Sequence, residues 1–214
     1  MSTKVKICGI TNLADAQAAV AAGADAFGFN FYEKSPRHIP LGEAAEITRQ
    51  LPSSILRVGV FVNASADFVL RAIRESGLTM LQFHGDEPPD FCSQFGLMSM
   101  KAFRVRGPET LKEIPQFHTD AYLLDAFSSA TYGGTGEKFN WDLAVEAQKF
   151  GKPIFLAGGL TSENVAQAIR QVHPFGVDVS SGVESVPGKK DRAKVMAFIA
   201  AVRGADQKKS GSYH

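Results

Sequence analysis

Residues 154–182 decide the fold: Ile154-Phe155-Leu156-Ala157-Gly158-Gly159-Leu160-Thr161-Ser162-Glu163-Asn164, an amphipathic stretch to Val172, then Gly176-Val177-Asp178-Val179-Ser180-Ser181-Gly182. Two short apolar runs, Ile154 to Leu156 and Gly176 to Val179, are bounded by Gly, Pro and Asn, as buried parallel strands tend to be. Between them, Thr161-Ser162-Glu163-Asn164 opens a helix that runs to Val172. Strand, helix and strand in that order require a parallel crossover.

The same unit recurs toward the N-terminus. Further apolar runs are Val5 to Cys8, Ala26 to Phe29, Leu56 to Val62, Met80 to Phe83, Ser99 to Phe103 and Ala121 to Leu124. Helices are expected over Leu13–Ala22, capped by Asn12 or Thr11 and stopped by Gly23, and over Leu41–Leu51, stopped before Pro52. Others are expected over Ser65–Ser76, from Pro88-Pro89, and from an Asp191 cap to Arg203. Eight strands with no break into halves favour an α/β fold of one kind, a (β/α)8 TIM barrel with a closed parallel sheet, over an open doubly wound sheet. A single catalytic domain is expected over residues 1–203, with the small, polar stretch 204–214 as a disordered tail.

Composition narrows the function classes. The 214 residues carry 23 basic and 22 acidic side chains, a net charge of +1, which argues against a generic nucleic-acid or acidic-membrane surface. A small anionic substrate needs only a local nest of donors and stays open. Cys8 and Cys92 are too few for a disulfide scaffold and lack metal or redox spacing, and the five histidines form no zinc pattern. No metal and no cofactor are expected. With no signal-like segment and no apolar run long enough for a membrane span, the expected address is the cytoplasm.

Catalytic residues of such barrels lie at the C-terminal ends of several strands. Those ends carry Cys8, Asn63, His84, Arg104, Asp125, Gly158-Gly159 and Asp178 with Ser180-Ser181-Gly182. A lone cysteine is often core, yet Cys8 ends a strand, precedes Gly9, and has Lys4 and Lys6 close in sequence. Such a thiol can have a lowered pKa and act as a base. Asp125 closes the apolar run Tyr122-Leu123-Leu124, where a carboxylate is costly unless paired or used. Gly158, Gly159, Ser180, Ser181 and Gly182 lie in the loops after strands 7 and 8, which commonly bind phosphate through backbone N–H groups. Gly133-Gly134-Thr135-Gly136 reads as an active-site lid. Arg37 suits carboxylate recognition, and His84 is either a proton-transfer residue or one that supports it.

Taken together, several segments resemble the phosphoribosylanthranilate isomerase family. They are Lys6-Ile7-Cys8-Gly9-Ile10-Thr11, Gly28-Phe29-Asn30-Phe31-Tyr32 with Ser35-Pro36-Arg37, Val58 to Asn63, Gln82-Phe83-His84-Gly85-Asp86-Glu87, Leu124-Asp125 with Gly133 to Gly136, Phe139-Asn140-Trp141, Leu156 to Leu160 with Asn164-Val165, and Gly176 to Glu184 with Pro187 to Asp191. Their joint order over about residues 4–203 carries the resemblance. Phe83 and Glu33 depart from commoner family residues, away from the proton pair.

The resemblance implies an Amadori rearrangement of N-(5-phosphoribosyl)anthranilate to 1-(2-carboxyphenylamino)-1-deoxyribulose 5-phosphate, in tryptophan biosynthesis. It implies Asp125 as general acid, Cys8 as general base and Arg37 against the anthranilate carboxylate. Gly158, Gly159, Ser180, Ser181 and Gly182 would hold phosphate, with His84, Gly134 and Asp178 also at the substrate. The partner is then a small sugar phosphate, and the chain is a monomer or a homodimer. The analogous isomerase of histidine biosynthesis would use two aspartates, which Cys8 argues against. Indole-glycerol-phosphate synthase would need a Lys/Glu ring-closing set, and a non-catalytic barrel would not be expected to keep both Cys8 and Asp125.

Overall fold

The computed structural model describes residues 2–126 and 141–210. Eight strands close into a barrel in sequence order, every neighbouring pair parallel: β1 Lys4–Cys8, β2 Ala26–Asn30, β3 Leu56–Phe61, β4 Met80–Phe83, β5 Met98–Val105, β6 Ala121–Ala126, β7 Ile154–Ala157 and β8 Gly176–Val179. Around them lie α1 Leu13–Ala22, α2 Leu41–Thr48, α3 Ala66–Ser76, α4 Pro89–Ser93, α5 Thr110–Glu113, α6 Trp141–Ala147, α7 Val165–Val172 and α8 Arg192–Ser210. A small antiparallel hairpin, β9 Glu184–Val186 and β10 Lys189–Lys190, follows β8.

Side-chain alternation along the strands builds two apolar layers. Ala26, Val58, Met80, Met100, Ala102, Ala121, Leu123, Phe155 and Ala157 fill the barrel, while their neighbours along the strands, such as Ile7, Phe27, Phe29, Leu81, Phe83, Leu124, Leu156 and Val177, meet the helices. The same alternation gives the inward positions of the upper barrel to polar residues. Lys6 and Cys8, Gln82 and His84, Asp125, and Asp178 and Ser180 share the parity of the inward apolar side chains on or beside their strands.

Local chemistry explains the element ends. Asn12, not Thr11, caps α1, its Oδ1 accepting from the Asp15 N–H at 2.9 Å. The second helix stops at Thr48, short of the expected Leu51, where the backbone tightens: the Gln50 N–H donates to the Ile47 carbonyl and the Leu51 N–H to the Thr48 carbonyl, while the Thr48 hydroxyl donates to the Ser76 carbonyl of α3 at 2.9 Å. The expected tail from Gly204 is instead helical through Ser210. Its composition is polar, but Ala205 is buried, and Asp206 accepts from the Thr3 N–H and hydroxyl at 2.9 and 2.7 Å. Arg203 donates to the Thr3 carbonyl and to Asp25, so α8 is tied to the residues that lead into β1 and β2. Residues 211–214 lie outside the described part.

Candidate active site

At the C-terminal mouth, β1 delivers Cys8 and β6 delivers Asp125. Around the closed sheet, β8 and β7 lie between those two strands. Cys8 is partly exposed and free. Its expected lowered pKa is not what the site produces: burial pushes the thiol above its ordinary value, and the nearby Asp178 carboxylate adds to this. Lys6 and Lys190 pull the other way without prevailing. Of the two lysines close in sequence, Lys4 reaches down to Asp25 at 3.0 Å, at the opposite end of the strand. Lys6 points into the barrel, is fully buried, and donates to Asp178 Oδ1 at 2.9 Å.

Gly28 explains how an ammonium and a thiol fit side by side. A Cβ at this position of β2 would stand 2.7 Å from Cys8 Sγ and 2.9 Å from Lys6 Nζ. Both atoms therefore border the space that this glycine leaves open. The pairing of Cys8 with Gly28 across β1 and β2 fixes the arrangement.

On the other side, Asp125 is held by His84. The His84 Nε2 to Asp125 Oδ2 distance is 3.4 Å, with side-chain exposures of 22% and 30%. The Gln82 amide lies 2.9 Å from His84 Nδ1. With that amide donating, Nδ1 is the acceptor, so Nε2 carries the proton directed at Asp125.

Arg37 is no loose surface arginine. Its Nε–H and Nη2–H donate to the two carboxylate oxygens of Glu184 at 2.8 and 2.6 Å. The buried Lys190 ammonium donates to the same Glu184 at 2.7 Å. Burial alone would raise the Glu184 carboxyl, but the Arg37 and Lys190 donors outweigh it and hold it low. Glu184 in turn holds the Arg37 guanidinium above its ordinary value. The hairpin after β8 thus reaches across to fix the loop after β2. No local motif signals this contact, because the partners are 147 residues apart in sequence. Glu184, Lys190, Lys6 and Gly28 are site residues whose individual roles the sequence did not disclose. The nearest hint was Lys6, a charge inside a strand that must be buried.

Loops 7 and 8 pack onto each other. Gly158 and Gly159 have φ of +88° and +62°, turning their backbone in a way that other residues resist. A Cβ on Gly182 would lie 2.0 Å from the Leu160 carbonyl oxygen, so only glycine permits this approach. Ser181 begins a short 3-10 turn, Ser181–Val183. Just before it, the Ser180 hydroxyl is buried without a hydrogen-bond partner. A buried hydroxyl is normally satisfied, so this one suits an incoming acceptor. Gly134, with the rest of the expected lid, lies outside the described residues. Among the described residues, no group of three or more His, Cys, Asp and Glu side chains could hold a metal ion, and no helix is long and apolar enough to cross a membrane.

The chain is similar to known proteins over nearly its whole length. The family model for N-(5'phosphoribosyl)anthranilate (PRA) isomerase matches residues 5–201. An N-(5'-phosphoribosyl)anthranilate isomerase of Geobacter sp. (strain M21) is 56% identical over 201 residues, covering 94% of this chain and 98% of the relative. The crystal structure of phosphoribosyl anthranilate isomerase from Thermotoga maritima superposes with a TM-score of 0.87 at 40% identity, covering 94% of this chain and 99% of that one. A crystal structure of such an isomerase in complex with reduced 1-(o-carboxyphenylamino)-1-deoxyribulose 5-phosphate has a TM-score of 0.85 at 39% identity, with the same coverage.

Proposed function

We propose, for a chain that belongs to the N-(5'-phosphoribosyl)anthranilate isomerase family, that Cys8 is the general base and Asp125 the general acid of its reaction. The chain is an aldose–ketose isomerase that converts N-(5'-phosphoribosyl)anthranilate in tryptophan biosynthesis. The roles of its residues follow from what the rearrangement demands.

The substrate is a cyclic aminoaldose. Asp125 protonates the ring oxygen, the C1–O bond breaks, and the chain opens to a Schiff base. The Cys8 thiolate then takes the C2 proton, and its electron pair shifts to give an enolamine. Protonation at C1 and loss of the C2 hydroxyl proton yield the aminoketose, so atoms and electrons balance with no redox partner. Acid and base thus act on two different sites of one small sugar, which suits two groups that enter the mouth from separate strands.

Arg37 receives the anthranilate carboxylate. Glu184 occupies one edge of its guanidinium fork and leaves Nη1 and the second Nη2 hydrogen for the ligand. The backbone N–H groups of Gly158, Gly159, Ser181 and Gly182, with the Ser180 hydroxyl, cradle the 5'-phosphate. His84 orients Asp125. Asp178 is better read as the partner of Lys6 than as a substrate contact. The protein works on a small molecule in the cytoplasm, as a monomer or a homodimer, without nucleic acid or membrane.

The observation that carries this reading is the presence, at one barrel mouth, of a partly exposed cysteine, a His-supported carboxylate, a Glu-fixed arginine and a buried hydroxyl lacking a partner. The test is turnover of phosphoribosylanthranilate generated in situ, followed by loss of its fluorescence. Protein that binds a product-like ligand and shows no turnover would instead be a binding barrel.

A further inference from the structure

Among the described residues, Lys6 is the one fully buried lysine, and it sits in the barrel interior directly below the mouth. Elsewhere the interior is filled by Val58, Met80, Met100, Leu123 and Phe155. A buried ion pair seldom stabilises a protein more than a well-packed apolar pair would, because both ions lose their hydration. Fold stability alone therefore gives little reason for Lys6 and Asp178 to stand where apolar side chains would serve. Their position does: the Lys6 ammonium lies beside Cys8 Sγ across the space that Gly28 leaves open.

We propose that Lys6 is a positioning residue, the counter-ion of the Cys8 thiolate, and that Asp178 fixes its ammonium in place. The proposal rests on Cys8 being the base. Asp178 Oδ1 fixes one N–H of the ammonium at 2.9 Å, and the thiol faces the same group. Burial by itself would drive the proton off Lys6, but the charges of Asp178 and Cys8 reverse this, so the cation survives inside the barrel. When Cys8 loses its proton, Lys6 is the nearest positive charge. When Cys8 takes the C2 proton, Asp178 is already in place to balance Lys6 alone.

The other groups acting on the thiol come from different elements. Asp178 stands on β8, Lys190 on β10 and Arg37 in the loop after β2. Lys190 and Arg37 are both engaged by Glu184. Of the cations around the thiol, Lys6 is the one whose ammonium also reaches it within hydrogen-bonding range.

The test reads the thiol itself. The pH dependence of Cys8 alkylation by iodoacetamide, followed by peptide mass spectrometry, gives its titration midpoint in the full protein. Cys92 is separated by its peptide, and burial pushes that thiol up to about 11. Lys6→Met removes the cation, and the midpoint should rise by about one unit or more, as expected for losing an opposite charge at close range. Asp178→Asn removes the anion that competes with the thiolate for Lys6 and should lower the midpoint, because the Cys8 charge itself still favours the ammonium. Opposite shifts are a signature that mere loosening of the barrel cannot produce.

If Lys6→Met does not fold, Asp178→Asn still decides: a midpoint unmoved or raised overturns the proposal. Where both variants fold, shifts in the same direction overturn it as well. Cys8→Ala separates the two claims. Its normal turnover would sink the base assignment, whereas the alkylation shifts concern only the Lys6–Cys8–Asp178 arrangement.

Discussion

The two sides of the barrel mouth are built in opposite ways. On the side of the proposed base, Cys8 is surrounded by fixed charges: Lys6 with Asp178, and Glu184 with both Arg37 and Lys190. Lys6 is fully buried, and Asp178, Glu184 and Lys190 are each less than a tenth exposed. On the side of the proposed acid, Asp125 has one close side-chain partner among the described residues, His84, at a long 3.4 Å, and it remains 30% exposed. A proton acceptor that must abstract from carbon benefits from preset electrostatics. A donor that must recover its proton from solvent after each cycle benefits from access. The contrast teaches that the base side tolerates little change, while the acid side depends chiefly on one carboxyl.

The sharpest way to break the comparison is Asp125→Ala. It should cut kcat by ~10²–10⁴-fold, the usual contribution of a positioned acid, while the melting temperature stays near wild type because a partly exposed side chain is lost. Steady-state turnover and a thermal melt read both. Unchanged kcat would remove Asp125 from the reaction.

Next is Arg37→Ala, which should raise KM by about 10–100-fold, the cost of losing one or two charged hydrogen bonds. The paired change Glu184→Gln keeps Arg37 but frees it. It should raise KM in the same direction and also lower the melting temperature, because Lys190 loses its buried partner. A Glu184→Gln enzyme with unchanged KM would show that Arg37 needs no support.

A pH profile sharpens the same comparison. The base must be unprotonated to act, and burial raises the Cys8 thiol above its ordinary value. Activity as kcat/KM should therefore climb with pH through and beyond neutrality. A profile already flat at neutral pH would contradict the raised thiol.

The smallest effect is expected at the phosphate loops. Ser180→Ala removes one hydroxyl and should raise KM about 2–10-fold, as for a single hydrogen bond. It should not destabilise the protein, since that hydroxyl makes no hydrogen bond within the protein.

Much of this was legible in the chain. Alternation of short apolar runs with capped helices gave eight strands and their order, because buried parallel strands and helix ends carry local signals. Cys8, Asp125, Gly158-Gly159 and Ser180-Ser181-Gly182 were legible because strand ends in such barrels converge on one face. What sequence could not supply was pairing across the mouth. Arg37 could be read as a carboxylate-binding residue, but not as one fixed by Glu184 from the hairpin after β8, and Asp178 could be placed at the site, but not as the partner of Lys6. The direction of the Cys8 shift was misread for a related reason: lysines nearby in sequence were credited, but Lys4 points to the floor, and desolvation outweighs Lys6. The helical stretch 204–210 was missed because Asp206 is anchored by Thr3, a partner 203 residues away.

The central claim is that Cys8 removes the C2 proton. Its most direct test is the turnover of Cys8→Ala with phosphoribosylanthranilate generated in situ, beside wild type and with folding checked by circular dichroism. The mechanism predicts a folded protein that still binds a product-like ligand and loses ~10²–10⁴-fold in kcat. A folded Cys8→Ala enzyme that turns over at the wild-type rate would contradict it.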